Sequence, residues 1–369
     1  MRGIRGISGR RAVIAAVGVL FVLALAAVHP AAAKVGPGDA TFPWVTPVFG
    51  MATAPDGSLL VADYGQGIVQ LKKGTGKLVA GLPMVNDIAP IGSGNMFAIT
   101  GGGGAEMGYS LYRVSRGGIQ QIADLSAFET AMNPDGGEDD SNPFEVVALS
   151  EETALVADAG GNDLLIVDEE GNVDWVAVLP LEMVSTDNAK DLIGCPEPPE
   201  DLPDFIKEIC DLPAEIPAQP VATSVAVGAD GAYYVSELKG FPAPLGESRI
   251  WRIEVGTLHA QCGESPACSV VADGFTSIVD LAFGPDGTLY VTEIDEASWL
   301  AVELVPFFGP GVLEGGTVNA CDTSDWSCAE VATGLPIPIA TSVAGDGVLY
   351  AAILALVPPP EGFAVVPLS

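Results

Sequence analysis

Carboxylates are the side chains of this sequence best supplied for binding or catalysis, and they recur at fixed places. The 369 residues hold 48 Asp and Glu against 15 Lys and Arg, a formal net charge of −33, with only two histidines. His29 falls in an N-terminal leader described below. That leaves His259, between Thr257 and Cys262 beside a turn, which reads as a surface residue. A Ser-His-Asp or Cys-His mechanism would rest on it alone, with no acid–serine pattern nearby. Histidine-based metal sites are excluded by count. Gly101–Gly104 is followed by neither a lysine nor a helical pattern, so it is a loop and not a phosphate cradle.

Three sets of oxygen-bearing residues remain. Asp56, Asp230, Asp286 and Asp346 each precede a glycine, and hairpin turns account for them. Asp63, Asp158, Glu237 and Glu293 each close the second strand of a repeated unit. Asn86, Asp87, Asn142, Glu145, Thr223, Ser224, Asp280, Thr341 and Ser342 open the strand that precedes it. If those strand starts line one channel, Asn86, Asp87, Asn142, Thr223, Ser224 and Asp280 gather at its mouth as a ligand-binding site, with Glu237 and Glu293 as further members. Oxygen ligands suit a hard cation, so Ca2+ is the cofactor to consider, with Asn86 and Asp280 as its ligands. The plainer reading is strand caps that bind channel water. No residue is assigned as catalytic. The acidic run Asp135–Asp140 lacks EF-hand spacing and reads as a solvated loop.

The elements that must position these residues repeat. SIVDLAFGPDGTLYVTE (Ser277–Glu293) is two alternating apolar strands around a Gly-Pro-Asp-Gly turn. It aligns with Phe49–Asp63, Asn86–Thr100, Phe144–Asp158, Thr223–Glu237 and Thr341–Ala351, which makes six copies. Further strand-like stretches follow each copy, such as Leu164–Val167 and Val173–Leu179, with little helical periodicity. Four short antiparallel strands per unit, six times over, predict an all-β fold: a six-bladed β-propeller. The sixth unit lacks an outer strand, and Pro43–Val48 is expected to supply it and close the ring. Insertions fall at Gly101–Gly108, Phe128–Pro143 and residues 181–220. The last is proline-rich, with a turn or two of helix at Asp204–Cys210, and insertions of this length on a repeat scaffold build a binding rim.

Arg2, Arg5, Arg10 and Arg11, the apolar run Ala12–Val28 and Ala31-Ala32-Ala33 read together as a secretory signal peptide over residues 1–33. One propeller domain then spans residues 34–369, with no membrane span after cleavage, in an extracellular or cell-envelope setting, as a monomer. So acidic a chain repels phosphate backbones, which argues against nucleic acid as a partner. With 17% charged and 49% hydrophobic residues it has the composition to bury a core. Cys195/Cys210, Cys262/Cys268 and Cys321/Cys328 form three close pairs. In an exported chain they read as local disulfides, the last two across the turn between third and fourth strands.

Several stretches together resemble the ScyD/ScyE family, exported proteins first associated with scytonemin pigment clusters. They are Asn133-Pro134-Asp135-Gly136 with Asp140-Ser141-Asn142-Pro143, Val156–Asn162, Thr223–Gly228, Ala232–Val235, Gly240-Phe241-Pro242 and Ile278–Phe283. The chain departs from the family at Phe144-Glu145, where an aromatic followed by glycine is more usual. The resemblance implies a propeller of the NHL and gluconolactonase-like type and no settled activity. Two functions follow as expectations. One is a non-catalytic propeller that binds a small molecule or protein at one face. The other is a Ca2+-dependent lactonase or esterase with its metal in the central channel.

Overall fold

A computed structural model describes residues 42–72, 75–92, 94–101, 109–344, 347–356 and 362–368. The leader, Gly102–Gly104 and Asp346 lie outside them. Six small antiparallel sheets form a six-bladed β-propeller. Each begins with an inner strand: Val48–Thr53, Val85–Pro90, Pro143–Ala148, Ala222–Val227, Ile278–Phe283 and Ala340–Val343. The second strand pairs with the first and is buried throughout in blades one to four, as in LLVAD (Leu59–Asp63) and YYVSE (Tyr233–Glu237). The rim strands are largely exposed, as in Ser327–Leu335. This gradient explains the sequence pattern: both faces of the inner strands are covered by neighbouring blades. One apolar cluster joins Phe97, Ile99 and Leu111 of blade two to Val146 and Val156 of blade three. Another joins Leu155 and Ala157 of blade three to Val225 and Val235 of blade four.

The Asp-Gly turns are built as expected. Gly57, Gly231 and Gly287 have φ of 79°, 80° and 89°. Asp56, Asp230 and Asp286 each accept a hydrogen bond from the backbone N–H two residues on, at 3.1 Å. Cys321 and Cys328 face each other in register across the third and fourth strands of blade five, and all three expected disulfides are present. Cys262 follows a two-residue strand, Ala260–Gln261, that leaves blade four and pairs in parallel with Val173–Val178, the outer strand of blade three. His259 beside it is exposed and bonded to Asp174 at 2.7 Å. No helix among the described residues is long and apolar enough to cross a membrane.

Two expectations need correction. Among the described residues the sixth sheet has three strands, Ala340–Val343, Leu349–Ile353 and Ala364–Leu368, and no N-terminal strand completes it. Pro43–Pro47 instead follows the turn after Leu59–Asp63, with Val45 O accepting from Gly65 N and Pro47 O from Tyr64 N. The closure at this point is by packing of Trp44 on Phe363, 4.6 Å between ring centres, and by one backbone bond from Val48 N to Ala355 O. The reason is Asp63, which accepts Val45 N at 2.7 Å and holds the entering chain against blade one. The second correction is a missed helix, Trp299–Phe308, in an insertion after Glu293. Its sequence, WLAVELVPFF, is apolar almost all round and hides a 3.6-residue period.

The insertion at 181–220 forms a hairpin (Glu182–Ser185 with Glu215–Ala218) and two short helices, Asp187–Ile193 and Asp204–Lys207. Ala189, Ile193, Ile206 and Ile209 join Trp299, Leu300 and Leu304 in one apolar cluster with Val48, Phe49, Val279 and Ala340. The insertion is therefore less a rim than a cap over the end of the ring where the inner strands begin.

The carboxylates that close the second strands serve this architecture. Asp63 takes Val45 N and Asp158 takes Asn142 N, each binding the segment that leads into its own blade; Glu293 takes Thr276 N in the same way. Asp63 also accepts from Gly65 N and Gln66 Nε2 and is fully buried. Asp63→Ala is expected to lower stability by roughly 2 kcal/mol through its orphaned donors, with Asp63→Asn losing less; urea unfolding measures both.

Candidate functional site

The third residue of each inner strand faces the channel: Gly50, Asp87, Glu145, Ser224, Asp280 and Ser342. Inner strands of successive blades belong to separate sheets, and from blade two onward these side chains tie them together. Asp87 accepts Val146 N of blade three at 2.9 Å. Glu145 reaches toward Val225 and Ser224 of blade four. Ser224 Oγ accepts Leu281 N of blade five at 2.9 Å. Asp280 accepts Thr341 N of blade six at 2.5 Å and Thr341 Oγ1 at 2.7 Å. Ser342 Oγ meets Thr53 Oγ1 of blade one at 2.7 Å. At Gly50 a Cβ would stand 2.1 Å from Asp87 Oδ1 and 2.7 Å from the Asn86 carbonyl, so only glycine fits.

A cavity of about 320 Å³ runs along this ring. Phe49, Met51, Ile88, Phe144, Leu281 and Phe283 contribute its apolar walls. Asp87, Glu145 and Asp280 stand at the capped end. Glu145 is hydrogen-bonded to Asp280 and to Ser224. Burial pushes the Asp87 carboxyl up to about 8, with the Asp280 charge adding to it. Burial raises Asp280 to about 6 and Glu145 well above the usual carboxylate range. All three carboxyls hold protons more readily than exposed ones, so the group can offer donors as well as acceptors.

Of the residues expected at the mouth, Asp87 and Asp280 line the cavity and Ser224 joins them through Glu145. The others point elsewhere. Asn86 donates to Pro143 O at 2.9 Å, on the opposite side of its strand from Asp87. It does not meet Asp280, so the expected Ca2+ pair is not assembled; successive strand residues face opposite ways. Thr223 bonds Ile278 O and Ser236 between blades four and five. Asn142 is anchored to Asp158. Glu237 pairs with the buried Lys239 at 3.1 Å and with Arg249. Glu293 is held by Thr276 N and by Asn319 at 2.6 Å. Glu145 completes the site and was visible in sequence as the carboxylate that replaces the glycine of Phe49-Gly50 in the next-but-one repeat.

The chain matches no family model and no curated protein. Solved structures share its fold. A structural genomics protein of unknown function from Bacteroides thetaiotaomicron aligns with a TM-score of 0.54 at 10% identity, over 88% of this chain and 70% of that one. A putative glucose dehydrogenase from Thermus thermophilus gives 0.50 at 14% identity, over 91% and 99%. The soluble aldose sugar dehydrogenase of Escherichia coli gives 0.50 at 12% identity, over 91% and 98%. These likenesses establish a six-bladed propeller and leave the chemistry to the site.

The raised carboxyls set a pH dependence. Folded Asp87 keeps a proton that the unfolded chain loses near 3.8, so its contribution is fullest below that value and is lost as pH rises through about 8. Asp87→Asn is therefore expected to gain stability relative to the parent as pH is raised from about 5 to about 8.5, read from urea midpoints at each pH.

Proposed function

We propose that the protein is an exported, non-catalytic propeller that holds a small organic cation in its channel. The observation that carries this reading is an unbalanced charge. Asp87 and Asp280 are buried with Glu145 half-buried beside them, and no Lys or Arg among the described residues pairs with any of them. Linking the blades does not require such charge, since Ser224 does the same with a hydroxyl. A cation would replace protons held by these carboxyls, and Phe49 and Phe144, an edge-to-face pair 5.9 Å apart between ring centres, stand in the same cavity wall. Export is supported by the leader, the three disulfides and the resemblance to the ScyD/ScyE family, which carries no settled activity.

Metal-assisted hydrolysis of a lactone or ester draws less support, because Asn86 and Asp280 face apart. Titration calorimetry with alkylammonium and guanidinium ions, against neutral alcohols of like shape, tests the proposal. Cations are expected to bind saturably and to release protons. Affinity should fall at least tenfold, roughly, in Asp280→Asn and between about pH 8 and about pH 5. Equal binding of the neutral analogues, or unchanged binding by Asp280→Asn, would overturn it. Turnover of a lactone panel lost in Asp280→Asn would replace it with the hydrolytic reading.

A further inference from the structure

A second acidic cluster lies outside the channel, where the segment between blades two and three meets blade three. Helix Leu125–Met132 presents Glu129, the loop after it carries Asp135 and Asp140, and the hairpin Asp158–Asp163 closes the far side. Asp158 is satisfied: Ser141 Oγ, Asn142 N, Gly160 N and Gly161 N all donate to it. Asp135 is held by Asn162 Nδ2 at 2.8 Å and Gly137 N at 2.7 Å.

Asp163 is different. It is 0% exposed, and neither carboxyl oxygen has a hydrogen-bond partner. Glu129 is 3% exposed and its Oε1 has none either. Asn133 Oδ1, on the residue that ends the same helix, is a fourth buried oxygen without a donor. Asp163 Oδ1 and Glu129 Oε2 both lie 3.3 Å from the point where a side chain at Gly161 would begin, so glycine leaves open the space they share. No Lys or Arg among the described residues pairs with either acid. Protonation alone does not resolve this, because a buried neutral carboxyl also needs partners for its O–H and its carbonyl. Burial and the surrounding acids raise Glu129 to about 8 and Asp140 to about 7, and raise Asp163 well above the carboxylate range. An environment this hostile to anions is one that a cation would relieve.

We propose that a Ca2+ ion binds between the helix Leu125–Met132 and the turn at Gly161, held by Glu129 and Asp163. No three acidic, histidine or cysteine side chains among the described residues stand together as a metal cage. The remaining ligands are therefore neutral oxygens, such as Asn133 Oδ1 and water, as a hard cation of flexible coordination accepts. Asp135, Asp140 and Asp158 supply the surrounding negative field. The ion would fasten the 133–140 loop to blade three, away from the channel.

The test uses the full chain, stripped with EDTA and dialysed into constant high KCl so that general screening of the −33 charge is held fixed. CaCl2 is expected to bind at one saturable site by calorimetry and to raise the melting temperature, which added KCl of equal ionic strength does not. Asp163→Asn and Glu129→Gln should each weaken binding at least tenfold and remove the thermal shift. Asp163→Asn should melt no lower than the parent without Ca2+, because it deletes an unpaired buried acid. Asp280→Asn should keep the full shift, which separates this site from the channel. No Ca2+ binding by the parent chain, or binding unchanged in both variants, would overturn the proposal, as would loss of binding in Asp280→Asn alone. If Asp163→Asn does not fold, limited proteolysis of the parent decides: Ca2+ should slow cleavage within 133–140, and an unchanged rate overturns the assignment.

Discussion

The ring depends on one constraint: inner strands of neighbouring blades share no backbone ladder. A side chain reaching across joins one to the next, and the residue three places into the strand supplies it in every blade but the first, where it is Gly50. Asp87, Ser224 and Asp280 each accept an N–H from the following blade, and Glu145 reaches toward Val225 and Ser224 of blade four. Buried backbone donors left without acceptors are costly, so a side chain that makes this link must carry an acceptor. The choice of acceptor is free. Serine satisfies the backbone at no electrostatic cost, whereas aspartate and glutamate leave charge or protons in the channel. That difference between what the fold requires and what this sequence supplies is the basis for reading the channel as a site.

Much of the architecture was legible because the repeat restates itself. Asp-Gly at φ near 80° and a fully buried second strand recur in phase, and any one copy supports the others. What was illegible has physical causes. The Trp299–Phe308 helix is apolar almost all round because most of it lies under other elements, so it carries no amphipathic signature. Pro43–Pro47 looked like a spare strand, but the buried Asp63 claims its backbone first.

The site shows the same limit at finer scale. Asn86 and Asp87 are adjacent in sequence and equally polar, yet one faces Pro143 and the other the channel, since a pleated strand alternates. Glu237 and Glu293 ended their strands as anticipated, but the fold uses them internally, in an ion-pair network with Lys239 and as an anchor for Thr276. Asp163 gave no sequence signal at all. Its lack of partners exists only once the helix Leu125–Met132 has been folded against it.

The two residues Ala260–Gln261 leave blade four to extend the outer edge of blade three, and Cys262–Cys268 fastens their exit. The last strand of a blade otherwise presents unpaired amides to solvent, a template for pairing with other chains. Here a neighbour occupies part of that template. Blades three and four are thus joined at the axis through Glu145 and at the perimeter through this strand. Separating the two would uncover that part of blade three's edge, so the shared strand adds a tie between them that packing alone does not supply.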